Sequence, residues 1–226
     1  MTDPTLSRRG FPRWALIVLV ALGIAALAFA VGRFSMFGAA SAVAAPGTAS
    51  AEAGFARDMQ VHHAQAIEMA MEIYRKTEDD EVRALSYDIA TGQSGQRGEM
   101  YGWLVSWGLP QSGGPLMGWM AGTEHAHTGH GGGDAEAPTA AELEAEMGMA
   151  TPAELDALRA ATGTQADCDF LGLMIRHHQG AIPMSEAVIE LGSEPRVLAV
   201  AQSIIETQEA EIDRMTSMQE RLGCTQ

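Results

Sequence analysis

Two cysteines, Cys168 and Cys224, are all that the 226 residues contain. No Cys-x-x-Cys is formed, which leaves no basis for a thioredoxin-like redox motif. Basic residues are also scarce, with 14 Lys and Arg against 29 Asp and Glu and a net charge of −15. Four of the 14, Arg8, Arg9, Arg13 and Arg33, flank one apolar stretch, and beyond residue 45 the balance is 10 basic to 28 acidic. So acidic a body repels phosphate backbones, and nucleic acid is excluded as a partner, whereas cations suit it. Neither a Ser-His-Asp grouping nor a phosphate loop is present to support a hydrolase or a nucleotide-binding protein. The 46% hydrophobic content rules out a wholly disordered chain.

Long apolar runs number one. Trp14 to Val31 are 18 residues without a charge, long enough for a membrane-spanning helix. Arginines before it predict a cytoplasmic N-terminus, with everything after Arg33 outside the cytoplasm. Ser7-Arg8-Arg9-Gly10-Phe11 also resembles a twin-arginine export signal, with Ala40-Ser41-Ala42 or Ala42-Val43-Ala44 as cleavage sites. Anchor or cleaved signal, residues 1–45 send the remainder outward. Residues 46–54 read as a tether.

What the chain has in abundance is Met, 14 residues, and His, seven, and these fall in a repeat. At a constant offset of 115 residues, Phe55, Met59, His62, His63, Ala66, Ile67 and Met69 match Phe170, Met174, His177, His178, Ala181, Ile182 and Met184. Val82, Ile89, Gln93, Met100 and Gly108 continue onto Val197, Ile204, Gln208, Met215 and Gly223 without a gap. Apolar residues step by four and three in the first segment of each copy, the spacing of a helical stripe, with His as its polar member. The second segments are helical too, with Thr77 and Ser193 as expected N-caps. Short connections then force antiparallel pairs, so hairpins 55–108 and 166–223 predict an all-α four-helix bundle over 55–223.

The connection, 109–150, is rich in Gly, with Met117 and Met120 at one end, His125, His127 and His130 further on, and Met147 and Met149 near its close. It reads as a loop with a short helix near Thr139 and a flexible set of soft donors. Thr151-Pro152-Ala153-Glu154 is a capping box that starts a short helix within 151–163.

Thioether and imidazole donors together suit copper, and Met suits Cu(I) in particular. Met59-x-x-His62-His63 and Met174-x-x-His177-His178 place these donors on shared helix faces. Core histidines with Met as filler are the competing reading, and two adjacent His repeated in register favour metal over it. A di-iron site would need Glu-x-x-His in the bundle helices. Met59 and Met174 occupy that position instead, and the one carboxylate on offer, Glu211, is matched by Gln96.

The doubled Phe-x-x-x-Met-x-x-His-His-x-x-Ala-Ile-x-Met pattern, followed by Ile89-x-x-x-Gln93 and Ile204-x-x-x-Gln208-x-x-Glu211, resembles the ferritin-like family known as domain of unknown function 305. Met147-Gly-Met149-Ala-Thr-Pro is similar to that family's linker. The resemblance implies an exported or membrane-anchored protein of ferritin-like fold, and copper as its ligand. Carried over, it implies Met59, His62, His63, Met69, Met174, His177, His178 and Met184 as metal ligands. Met117, Met120, His125, His127, His130 and Glu211 are weaker candidates.

Copper sequestration or delivery is therefore the expected function, binding rather than catalysis, at the cell membrane through residues 14–31. A metal-dependent oxidoreductase and a metal-free interaction module are the rivals. Three features depart from the family's pattern: Pro183 should kink the third long helix, Gly92, Gly95 and Gly98 load the second, and Gln96-Arg97 replace the family's Glu-Ile, which weakens a symmetric carboxylate pair. The cysteines lie at one end of the second hairpin with a helical mismatch of about 9 Å. A disulfide and a free or copper-binding thiol both remain open for them.

Overall fold

The computed structural model describes residues 12–37, 45–121, 123 and 138–224. Regular structure among the described residues is entirely helical, and the chain divides into two units between Ala45 and Pro46. The first unit holds α1 (Arg13–Phe37). Its Arg13–Arg33 segment is long and apolar enough to cross a membrane, and none of it is buried.

The second unit is built from four long helices, α2 (Ala51–Lys76), α3 (Asp80–Ser106), α6 (Gly163–Leu191) and α7 (Pro195–Leu222), with the short α4 (Ala140–Glu146) and α5 (Pro152–Ala160) between the pairs. Three-residue connections make α2 and α3, and α6 and α7, antiparallel neighbours, and the two pairs pack through α2 and α6. The caps differ from expectation. Asp79 and Glu194, each one residue before its helix, accept two backbone N–H groups apiece, from Glu81 and Val82 and from Arg196 and Val197. A carboxylate can serve both donors at once and also complements the helix dipole, whereas Thr77 is left to accept the Asp79 N–H. Asp79 is further held by the Arg221 guanidinium of α7 through bonds of 2.8 and 3.0 Å.

Neither glycine nor proline breaks the long helices. Pro183 lies inside α6, which runs on to Leu191. A Cβ at Gly92, Gly95 or Gly98 would meet nothing within 4 Å, so these residues mark an open face of α3 rather than a close contact.

The core is two hydrophobic clusters. One gathers Phe55, Met59, Met100, Leu104, Met184, Val188, Val197 and Ile204; the other gathers Met69, Ile73, Val82, Leu85, Ile89, Phe170, Met174 and Met215. Each long helix contributes one end to each cluster. Cys168 and Cys224 are joined as a disulfide with Cα atoms 5.5 Å apart. Gly223, left-handed at φ 70°, turns the chain back after α7, so that Cys224 N–H reaches the Gln219 carbonyl and the sulfurs meet despite unequal helix lengths.

The connection is more ordered at its start than a loop reading expects. Asp58, buried in α2, accepts the Met117 N–H and the Trp119 indole N–H, both at 2.8 Å, and Arg57 donates to the Pro110 carbonyl. These bonds pin a 3-10 turn, Gly118–Met120, onto α2. Met117 and Met120 are consequently buried in the first cluster, where Met147 and Met149 also lie. His125, His127 and His130 lie outside the described residues.

Candidate metal centre

Between the two clusters every long helix carries polar side chains. In α2 the stripe passes from Met59 in the first cluster through His62 and His63 to Ala66 in the second, and in α6 from Met174 through His177 and His178 to Ala181 in the opposite order. Gln93 and Gln96 of α3, and Gln208 and Glu211 of α7, occupy the same level. The repeat offset thus produces a polar layer across the middle of the helical unit.

All four imidazoles are completely buried. His62 and His177 face one another with ring centroids 3.6 Å apart and planes inclined by 33°. Each is 6.4 Å from the next ring on its own helix. His62 Nε2 lies 2.9 Å from the Met147 carbonyl, His63 Nε2 2.7 Å from Gln96 Oε1, and His178 Nε2 2.7 Å from Glu211 Oε2. These partners are acceptors, so Nε2 carries a proton in each of the three rings. In each of the three rings Nδ1 has no partner, and neither nitrogen of His177 makes a well-formed hydrogen bond.

Burial is the main cause that pushes His62 down to about 3 and His63 to about 4, and it holds His177 well below the usual imidazole range. These three are therefore neutral at pH 7, the form that binds metals. Gln93 and Gln208 add an unpaired carboxamide each, at 4% and 2% exposure. A buried amide left unsatisfied costs about 1–3 kcal/mol.

One side of the layer is covered by a strap, Met147 to Ala150. Gly148 adopts φ 69°, and a Cβ there would stand 2.2 Å from the Arg176 carbonyl. A Cβ at Gly180 would stand 1.9 Å from the Met147 carbonyl, so only glycine allows this approach. Gln65 ties the strap down from α2, donating to the Ala150 carbonyl at 2.9 Å and accepting its N–H at 2.6 Å. Arg176 bridges from α6 to both carboxylate oxygens of Glu154, at 2.8 Å each.

The structure brings the four sequence-selected histidines and Glu211 together. The four thioethers it places on either side of them, all fully buried: Met59 and Met184 in the first cluster, Met69 and Met174 in the second. Among the described residues no three His, Cys, Asp or Glu side chains converge as a metal site. A centre here would therefore draw on thioether or carboxamide donors beside imidazole. The orphaned ring nitrogens fit that requirement, because metal-binding histidines commonly donate one N–H to a carbonyl or carboxylate and ligate through the other nitrogen. Sequence reasoning passed over the roles of Gln93, Gln208, Gly180 and the Met147 carbonyl. For the glutamines a signal existed, since both repeat at the 115-residue offset within an apolar stripe.

The model of the Domain of unknown function (DUF305) matches residues 52–219. The chain belongs to the DUF305 family. A DUF305 protein of Streptomyces coelicolor, predicted to be secreted, is 37% identical, with a TM-score of 0.68 over 80% of this chain and 98% of that one. A DUF305 fragment from Deinococcus radiodurans is 32% identical, with a TM-score of 0.60 over 76% and 96%. CopM in its Cu(II)-bound form is 28% identical, with a TM-score of 0.54 over 76% and 97%, and its Cu(I)-bound form is 25% identical, with 0.53 over 76% and 96%. No curated protein matches the chain.

Proposed function

We propose that this DUF305 protein is a copper-binding protein held outside the cytoplasm by α1, and that its two hairpins act as one ferritin-like four-helix bundle with the ion at its polar layer. The observation that carries the reading is the set of five buried ring nitrogens without partners, His62 Nδ1, His63 Nδ1, both of His177 and His178 Nδ1. Three of the rings are oriented through Nε2–H, as a ligand imidazole requires. CopM, a relative with copper-bound structures in both oxidation states, supports the choice of metal, and so does the supply of thioethers around the layer. Binding with storage or transfer, without chemistry on the ion, accounts for the features present.

The test is copper competition on the full chain in detergent. Changing His62, His63, His177 and His178 to Gln should weaken copper binding by at least tenfold, about 1.4 kcal/mol, with helicity retained. Met59→Leu with Met174→Leu keeps the side-chain volume, and should weaken Cu(I) while leaving Cu(II) nearly unchanged. Undiminished copper affinity in the folded His variant would defeat the reading. A second reading, a metal-free interaction module with structural histidines, draws on the 3.6 Å stacking of His62 on His177. It expects protein isolated from copper-rich cells to carry no metal.

A further inference from the structure

An ion bound among completely buried imidazoles has to cross the wall of the helical unit to reach them. Under the strap that wall is backbone against backbone. The Met147 carbonyl is so close to Gly180 that not even a methyl group fits, and Gly148 is equally tight on the Arg176 carbonyl.

Between α3 and α7 the wall is of another kind. A cavity of about 30 Å³ lies there, lined by Gln93, Gln96, Gln208 and Glu211, with the exposed Asp88, Gly92 and Thr207 among its other residues. That volume holds one water molecule or one small ion. Both atoms of the Gln93 and Gln208 carboxamides, buried in the lining, have no partner in the protein. Gln96 and Glu211 touch the cavity on one side and His63 and His178, at 2.7 Å, on the other. None of the lining residues is basic; Arg214 approaches Asp88 at 3.5 Å, and the Arg97 charge is felt at His63.

We propose that the gap between α3 and α7 is the port through which a cation enters the polar layer, with the Gln93 and Gln208 carboxamide oxygens as passing ligands and Gln96 and Glu211 as the groups next to the receiving imidazoles. Carboxamide oxygens suit this task because they replace part of a hydration shell without adding charge that would trap the ion. One carboxylate, Glu211, supplies the attraction inward. The port rests on the copper-binding reading above.

Kinetics separate the port from the site. Gly92→Leu adds a side chain where a Cβ meets nothing within 4 Å and lies on a helix that leucine favours, so the fold accommodates it. Thr207→Phe is a second plug from α7. Full-length protein in detergent is mixed with the Cu(I)–bicinchoninate complex, and the loss of colour is followed in time. Both variants should load at least about tenfold more slowly than the parent and reach an affinity within about threefold of it, because a blocked path slows entry and exit alike. Parent-like loading rates in both variants would overturn the port. An affinity that falls as far as the rate would overturn it too, since the gap would then be part of the binding site. A parent that takes up no copper would instead defeat the metal reading, and the port with it.

Discussion

The two hairpins share their interior and differ at their edges. His62, His63, Gln93 and the flanking methionines of the first recur in the second at the same offset. Four of the matched positions that diverge bear on the strap, the layer and the closure of each hairpin. Gln65 of α2, which ties the strap, corresponds to Gly180 of α6, over which the strap lies. Gln96 corresponds to Glu211, so His63 of the first pair faces a carboxamide and His178 of the second a carboxylate. Ala53 and Leu109 stand where the second hairpin has its Cys168–Cys224 disulfide, and both pack on the first cluster. The first hairpin is closed by apolar packing and the second by a covalent bond. Duplication thus preserved what the polar layer requires and freed the contacts that surround it.

Acid attacks the shared part and should have the largest effect. His62, His63 and His177 have folded-state values below the ordinary 6.5, so the unfolded chain binds more protons than the folded one below that pH. Stability of the metal-free protein is complete above about pH 6.5, and falls as pH drops towards the folded values near 4 and 3. Every tenfold difference in proton affinity between the two states is worth about 1.4 kcal/mol per histidine, which predicts cooperative loss of helicity within this window, followed by circular dichroism. Helicity constant down to pH 4 would mean that the layer is hydrated or open.

Reduction acts on one hairpin alone. Cys168→Ser with Cys224→Ser should lower stability to urea by roughly 4 kcal/mol in the chain-entropy model. By hydrogen exchange the N-terminal end of α6 and the C-terminal end of α7 should fray first, while α2 and α3 keep their local protection. An equal loss of protection in both hairpins would show that the covalent closure is distributed through the core.

The smallest effect tests the strap. Gly180→Ala drives a methyl group against the Met147 carbonyl and should cost about 1–3 kcal/mol, whereas Gln65→Ala removes two hydrogen bonds worth about 1 kcal/mol each. Thermal unfolding of the two variants ranks them. A Gly180→Ala variant as stable as the parent would place the strap off the layer in solution.

Helix positions, pairing of the hairpins and the four buried histidines were legible in the sequence because each depends on periodicity. A stripe of period 3.6 names its buried face, and an ungapped repeat transfers that face from one hairpin to the other. The order of residues 110–121 was not legible, because it depends on Asp58 meeting two N–H groups some sixty residues further on. Thr77 and Ser193 were outcompeted as caps by carboxylates one or two residues later, a choice made by local geometry.

By itself, then, the sequence determined an apolar N-terminal helix, a duplicated all-α body, and a level in that body where polar side chains interrupt an apolar stripe. Tertiary structure alone decided that His62 stacks on His177, that the thioethers divide between two clusters, that the cysteines meet, and that a strap covers one side of the layer. Periodic burial is a property of each helix and is written in its own residues. Which nitrogen keeps a lone pair, and what stands opposite it, depends on groups brought from distant parts of the chain, and no local pattern encodes them.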